Sequence, residues 1–151
     1  MAQGTPSGSG IVAASFATAP ANAVIAVARY SGASLAGAIG SVVSANSLGV
    51  GGACQGGVDA SSYAFGLVTS APGSAVFAAT AMRTKTHSPG ADFVERAEVR
   101  MGSSGDVAST ALEEANVAAA SPVTVSGSFS GAADWASVAV EIRRATGVPS
   151  S

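Results

Sequence analysis

The sequence contains little charge, few aromatic residues and a single cysteine. Cys54 has no second cysteine to pair with, which excludes an intrachain disulfide and a cysteine-based metal site and leaves it either free or bonded to another molecule. Charged residues make up 11% of the chain and the net charge is −2, so the electrostatic attraction that supplies most nucleic-acid binding is missing. No apolar run approaches the ~18 residues of a membrane span. We therefore predict no nucleic-acid partner and no membrane insertion.

Hydrophobic residues are plentiful, at 48%, but they are mainly alanine and valine. Side chains of this size favour a thin core between closely packed sheets. Strand-like runs separated by Gly, Pro and Ser turns predict an all-β fold, an antiparallel β-sandwich of the jelly-roll or Greek-key type. We expect residues 1–9 to form a flexible Gly/Ser-rich N-terminal arm, residues 10–146 a single sandwich domain, and residues 147–151 a C-terminal tail.

Alternating and β-branched runs mark the predicted strands. Residues 11–16 and 23–30 are expected to form one hairpin, with 23–30 as a central strand, and residues 61–69 and 75–84 a second hairpin. Between residues 106 and 120 helix-forming residues compete with a strand-like alternation, and the all-β surroundings favour a strand. The other predicted elements are a long loop over residues 31–57 with one short strand at 39–43, and strands at 93–101, 123–129 and 134–144.

The most regular alternation lies in the last of these strands, which also carries the only tryptophan, Trp135. Apolar and polar residues alternate there with a period of two, so the apolar set is expected to face the core and the polar set the solvent. The apolar set is Ala136, Val138, Val140 and Ile142, and the polar set is Ser137, Glu141 and Arg143.

Several short motifs occur in a recognisable order along the chain. They are Tyr30-Ser31-Gly32-Ala33, Phe93-Val94-Glu95-Arg96, the segment 115–125, and the strand from Asp134 to Arg143. In this order they resemble a β-sandwich module of bacterial cell-surface, adhesin-like proteins that is also seen near phage structural proteins. The resemblance covers roughly residues 11 to 144. It implies adhesion or surface display without enzyme chemistry, outside the cell or at the cell surface.

Modules of that family usually begin with additional strands before the one that precedes the Tyr-Ser-Gly motif. The resemblance therefore implies a sandwich with a vacant strand position, whose open edge could pair with an extended segment of a neighbouring copy. Ile11, Val12 and Phe16 are the candidate assembly residues. The N-terminus shows no signal-peptide pattern, so export would need a signal that has been removed or another route.

Few residues suggest catalysis. His87 lies in a predicted exposed turn, and although Asp92 is close in sequence, no G-x-S-x-G elbow supplies a nucleophile. Glu113 and Glu114 are adjacent, so on a strand they point to opposite faces and are expected to be solvated. We predict no enzyme activity and no cofactor.

In the strand over residues 93–101, Phe93, Ala97, Val99 and Met101 are expected to face inward, and Arg96, Glu98 and Arg100 to share a charge-balanced outer face. Aspartates in predicted loops leave calcium binding as an alternative that no D-x-D-x-D spacing supports. They are Asp59, Asp92, Asp106 and Asp134.

Tyr63 and Trp135 are the candidates for an aromatic platform that could stack on a sugar ring, although packing at the core edge is favoured for Trp135. The preferred function is a non-enzymatic extracellular structural or adhesion domain that assembles with copies of itself into a surface filament, through sheet-edge or N-terminal-arm contacts. The alternatives are a carbohydrate-binding module that recognises surface glycans with the 49–57 loop and Tyr63 or Trp135, and a virion decoration or tail protein.

Overall fold

The computed structural model describes residues 10–53 and 57–145. The predicted arm, the predicted tail and Cys54 lie outside these residues. Within them the chain forms strands and one short 3-10 turn, Ser104–Asp106. The strands are β1 Ile39–Asn46, β2 Gly49–Val50, β3 Ala60–Val68, β4 Ser74–Met82, β5 His87–Pro89, β6 Val94–Met101, β7 Ala108–Val117, β8 Pro122–Ala133 and β9 Trp135–Ile142.

The strands form two antiparallel sheets. One has six strands in the order β2-β1-β9-β4-β7-β6, and the other has three in the order β3-β8-β5. Most consecutive strands lie in different sheets, as in Greek-key and jelly-roll sandwiches. The predicted all-β antiparallel sandwich is confirmed.

The core lies between the two sheets and is built largely from small side chains on the six-stranded sheet. Ala78 of β4 and its partner Ala139 of β9 are completely buried. The larger core residues come mainly from the three-stranded sheet. They include Tyr63, Phe65, Leu67, Val125 and Phe129. Alanines on one sheet therefore leave room for aromatic rings from the other.

The segment 106–120 forms strand β7, as predicted, because β4 and β6 pair with it on both sides. The predicted strand at 39–43 is also confirmed, and it extends to Asn46 and turns into β2. The predicted hairpin of residues 61–69 with 75–84 is wrong. β3 pairs with β8, whereas β4 pairs with β7 and β9, because the connection between β3 and β4 crosses from one sheet to the other.

The two strands predicted before Tyr30 are absent from the sheets. Residues 10–30 run without ladder pairing across the outer face of the six-stranded sheet, where the Tyr30 ring packs edge-to-face on Phe77. Val24 and Ala26 are half-buried while their neighbours are exposed, so the strand-like alternation is used to cover a sheet face. We call residues 10–30 the N-terminal segment.

The predicted facing of β9 is also wrong. Ser137 and Glu141 point into the sandwich beside Thr80 and Val76 of β4, while Val138 points out and is 45% exposed. The alternation itself is correct, but the polar residues find hydrogen-bond partners in the interior, which removes the cost of burying them. The only helical turn in the described part of the chain has three residues, and no helix there is long and apolar enough to cross a membrane.

Candidate functional site

A polar cluster lies inside the sandwich around the Tyr63 hydroxyl group. That oxygen lies 2.9 Å from Nε2 of His87 and 3.0 Å from Oε1 of Glu113. Nδ1 of His87 lies 2.7 Å from Oε2 of Glu95. The Thr80 hydroxyl is 3.1 Å from the Tyr63 oxygen. We call Tyr63, Thr80, His87, Glu95 and Glu113 the buried polar cluster.

Aromatic packing holds the cluster in place. The Tyr63 ring lies 5.1 Å from the Trp135 ring and 5.5 Å from the Phe129 ring, centroid to centroid. Gly127 faces them, and a Cβ atom there would collide with the Tyr63 and His87 side chains. The glycine in β8 is therefore required for the close approach of these rings.

Among the proton arrangements that satisfy the hydrogen bonds of the cluster, two differ in whether His87 or Glu113 carries one proton. In one, His87 carries two ring protons and donates to Glu95 and Tyr63, while the Tyr63 hydroxyl donates to an ionised Glu113. In the other, Glu113 is protonated and donates to Tyr63, which then donates to a neutral His87. Both contain the same number of protons, so a proton can shift within the cluster without a change in its net charge.

Burial raises the pKa of Glu113 to about 7, and the neighbouring Glu95 charge adds to the rise, while the hydrogen bond from Tyr63 works against it. Oε2 of Glu113 is buried without a hydrogen-bond partner among the described residues. Burial is also the main reason why the pKa of Tyr63 is raised above its usual range. Both groups are therefore held toward their neutral forms.

The inner part of the cluster is closed to solvent, whereas the Glu95 side chain at its edge is 28% exposed. Glu113 is 1% exposed and His87 is 6% exposed, so neither could contact a substrate in this structure. The prediction that His87 lies in an exposed turn is wrong, because β8 pairs with the three residues of β5 and draws the ring inside. No local pattern marks this role, since the partner Tyr63 lies 24 residues away in sequence. The cluster is a structural element of the core.

Glu113 and Glu114 do point to opposite faces, as predicted, but neither is freely solvated. Glu114 lies on the outer face of the six-stranded sheet, where it accepts a hydrogen bond of 2.7 Å from the Tyr30 hydroxyl and forms an ion pair with Arg96. Burial works to raise the pKa of Glu114, but these two partners lower it below its usual range. This contact fixes the end of the N-terminal segment on the sheet.

A β-bulge in β6 reverses the predicted faces from Ala97 onward, whereas Phe93 is buried and Arg96 lies on the outer face, as predicted. The register with β7 shifts between Glu95 and Ala97, so Glu95 and Glu98 both point inward. Glu98 accepts a hydrogen bond of 3.1 Å from the backbone N–H of His87, while Met101, which was expected inside, is 57% exposed. The extra residue reverses the alternation, and the sequence carries no signal of it.

A second buried carboxylate, Glu141, connects three parts of the fold. It accepts hydrogen bonds from the backbone N–H groups of Ser41, Ser70 and Ala71, at 2.9 to 3.0 Å, and from the hydroxyls of Ser70 and Ser74. Burial works to raise its pKa, but these donors prevail and lower the pKa to about 2. We call this arrangement the Glu141 clasp, which joins β1, β9 and the β3–β4 connection.

Gly40 lies against the clasp. A methyl group at this position would overlap the Glu141 carboxylate, so only glycine lets β1 approach it. The alternation in β9 predicted Glu141 on the solvent face, and this prediction is wrong. Its donors lie 67 to 100 residues from it in the chain, which no local pattern could reveal.

The predicted aromatic platform is wrong. Tyr63 and Trp135 are both buried in the core, where their rings pack against each other at an interplanar angle of 33°, as favoured for Trp135, so neither presents a face to a sugar. A pocket of about 230 Å³ lies beside Trp135, at the site suggested for glycans. This is below the ~300 Å³ at which small-molecule sites usually begin.

The loop aspartates do not converge. In the part of the chain that the structure describes, no group of three or more His, Cys, Asp or Glu side chains is arranged to hold a metal ion. The Asp134 carboxylate is hydrogen-bonded to the Ser47 hydroxyl, and the Asp106 carbonyl accepts from Asn22. The second contact ties the N-terminal segment to the turn before β7.

The candidate assembly residues Ile11, Val12 and Phe16 are all exposed. Ile11 is 96% exposed, and the side chains of residues 11–20 are exposed throughout. A gap of about 650 Å³ separates the N-terminal segment from the sheet beneath it. It is bordered by Phe16 and Val24 on one side and by Ala79, Ala81 and Leu112 on the other. The segment is thus loosely packed except where Asn22 and Tyr30 are hydrogen-bonded.

Comparison with known proteins finds no match to this chain among protein-family models, curated proteins or solved structures. The geometry of the chain itself therefore carries the functional argument.

Proposed function

We propose that this chain is a non-enzymatic structural or adhesion domain that acts outside the cell or at its surface and assembles with copies of itself into a filament. The observation that carries the proposal is the N-terminal segment, which presents apolar, strand-like residues to water without a ladder partner in the described structure. Exposed apolar surface is unfavourable by roughly 25 cal/mol per Å² relative to burial, so contact with another molecule would stabilise it.

The charge and chemistry of the molecule are consistent with this role. The chain has few charged residues to oppose contact between copies, at 11% and a net charge of −2. The titratable groups that interact most closely, those of the buried polar cluster and the Glu141 clasp, lie mainly inside the sandwich. Placement outside the cell is supported by the resemblance of the Tyr-Ser-Gly, Val-Glu-Arg and Trp135 motifs to surface modules.

The proposal is tested by the mass and shape of the particles in solution. The full chain, a chain lacking residues 2–9 and a chain lacking residues 2–17 would be compared by light scattering after size-exclusion chromatography and by electron microscopy. We expect elongated polymers from the full chain, and a folded monomer with an unchanged unfolding temperature once residues 10–17 are also removed.

Three outcomes would contradict the proposal. They are polymers that persist unchanged in both truncated chains, a full chain that stays monomeric and binds glycans on an array, and a compact trimer. The second would favour the carbohydrate-binding alternative, and the third a virion decoration protein.

A further inference from the structure

The two sheets have four edge strands, and three of them carry features that discourage pairing with another chain. β2 has two residues, and β5 has three and ends in Pro89. β6 has a β-bulge and four charged side chains. Short strands, proline, charge and bulges are the devices by which natural sheets protect their edges.

The fourth edge, β3, has little of this protection. It is nine residues long, contains neither a charged residue nor a proline, and has a described ladder partner on one side only, β8. Its one irregularity is at the start, so the seven residues Ser62–Val68 keep an uninterrupted register. On its outer face, Ala64, Gly66 and Val68 are exposed. An edge of this length and character is a template for an added strand.

The same chain carries a segment suited to that position. Residues 11–17 have no charge and no proline, include Ile11, Val12 and Phe16, and are exposed along their whole length. Seven residues match the seven of the regular β3 edge. Asn22 and Tyr30 hold its continuation on the outer face of the six-stranded sheet, whereas β3 belongs to the opposite sheet, an arrangement that favours the β3 of another copy as the partner.

We propose that the free edge of β3 binds residues 11–17 of a second copy as an added strand of the three-stranded sheet. This inference rests on the proposed function and identifies both surfaces of the contact. Donor and acceptor are different parts of the molecule, so each copy can give its segment to one neighbour and receive a segment from another. Such head-to-tail contacts lead to an open chain of copies.

Site-directed disulfide formation tests the pairing. With Cys54 replaced by serine, the single-thiol donors Ala13→Cys and Ala14→Cys would each be mixed with the single-thiol acceptor Gly66→Cys and oxidised with diamide. A side chain at Gly66 meets open space, so the acceptor keeps its fold. Because side chains alternate along a strand, we expect one donor to form at least tenfold more heterodimer than the other.

A chain with the productive donor and acceptor cysteines together should form a ladder of covalent oligomers. Absence of a disulfide from both donors, equal yields from both, or a ladder that stops at the dimer would overturn the proposal.

A charge placed on β3 tests the same contact without a thiol. The variant Ala64→Lys adds one ammonium group at an exposed position of β3, and Val94→Lys adds one at an exposed position of the β6 edge as the matched control. We expect the β3 variant to stay folded and lose assembly, and the control to assemble like the natural chain. If the natural chain assembles and the β3 variant assembles equally well, the β3 assignment is wrong while the proposed function stands. If the natural chain stays monomeric at every concentration, both are wrong.

Discussion

At the scale of single residues, two buried glutamates on the inner face of the same sheet have pKa values shifted in opposite directions. The pKa of Glu141 is lowered to about 2, and that of Glu113 is raised to about 7. Both lose hydration, which favours the neutral acid. Glu141 receives five hydrogen bonds in return, whereas one oxygen of Glu113 has no partner among the described residues. The number of donors therefore decides the charge state.

Replacement of Glu141 by glutamine is expected to lower the free energy of unfolding at neutral pH by about 2–4 kcal/mol. The glutamine amide has only one acceptor oxygen, so its NH2 group would point at donors that now hydrogen-bond to the second carboxylate oxygen. Denaturant titration at pH 7 would measure the change. Glu114→Gln, on the partly exposed outer face, serves as the control and should cost no more than about 1 kcal/mol. Equal denaturation midpoints for the two variants would show that the clasp does not stabilise the fold.

The raised pKa of Glu113 predicts a dependence of stability on pH with a definite sign. The folded state holds this proton more tightly than the unfolded state, whose value is near 4.5, so its contribution to stability is complete below pH 4.5 and is lost as the pH rises to about 7. Each pKa unit of difference corresponds to about 1.4 kcal/mol.

The variant Glu113→Gln cannot ionise and is expected to remove this part of the slope. Denaturation at several pH values between 4.5 and 8 would compare it with the natural chain and with Glu114→Gln, which should keep the slope. Identical slopes in all three proteins would contradict the assignment. Glu141 shows the opposite pH dependence. Its lowered pKa means that it stabilises the folded state above pH 4.5, and this stabilisation is lost as the pH falls toward 2.

At the scale of elements, β9 is buried on both sides over its second half. Val140 is 3% exposed, and its β4 neighbour Phe77 is covered by Tyr30 of the N-terminal segment. Val138 lies on the same outer face two residues earlier, yet is 45% exposed. Burial on this face thus depends on what covers it from outside the sheets.

Because Val140 is buried and Val138 is exposed, an aspartate is expected to have opposite effects at these two positions. Val140→Asp is expected to prevent folding, because it buries a charge without a partner and such changes exceed about 4 kcal/mol. Val138→Asp is expected to yield a soluble protein with a circular dichroism spectrum like that of the natural chain. A Val140→Asp protein that melts normally would show that this end of the outer face is open to water.

At the scale of the whole molecule, the sandwich combines one poorly protected edge, β3, with one extended segment that no strand of its own sheets receives. Neither residues 11–17 nor β3 contains a charged residue. The proposed association of copies should therefore depend on apolar burial and backbone hydrogen bonds, which salt screens little compared with contacts between charges.

We accordingly expect the extent of assembly to stay constant within about twofold when the salt concentration is raised from about 0.05 M to about 0.5 M. Sedimentation velocity at a fixed protein concentration would measure it. A matched variant, Ala64→Glu, places a charge opposite an uncharged segment and should weaken assembly at both salt concentrations. Disassembly of the natural chain in high salt would point to an electrostatic contact elsewhere.

The sequence by itself determined the class of fold and the approximate positions of most strands from β1 to β9. The exceptions are β2, with two residues, and β5, with three, because strands this short show no recognisable alternation. Period-two alternation and Gly, Pro and Ser turns are local properties, and they predicted the strand at residues 106–120 despite its helix-forming residues.

Tertiary structure decided which face of each strand is buried. The β6 bulge reverses one alternation, and Glu141, Ser137, Glu113 and His87 lie inside, where residues far along the chain form hydrogen bonds with them. The tertiary structure also decided that residues 11–16 and 23–30 stay out of the sheets, although their local sequence is typical of strands. Ladder pairing requires a free sheet edge beside the segment, and this segment lies across a sheet face.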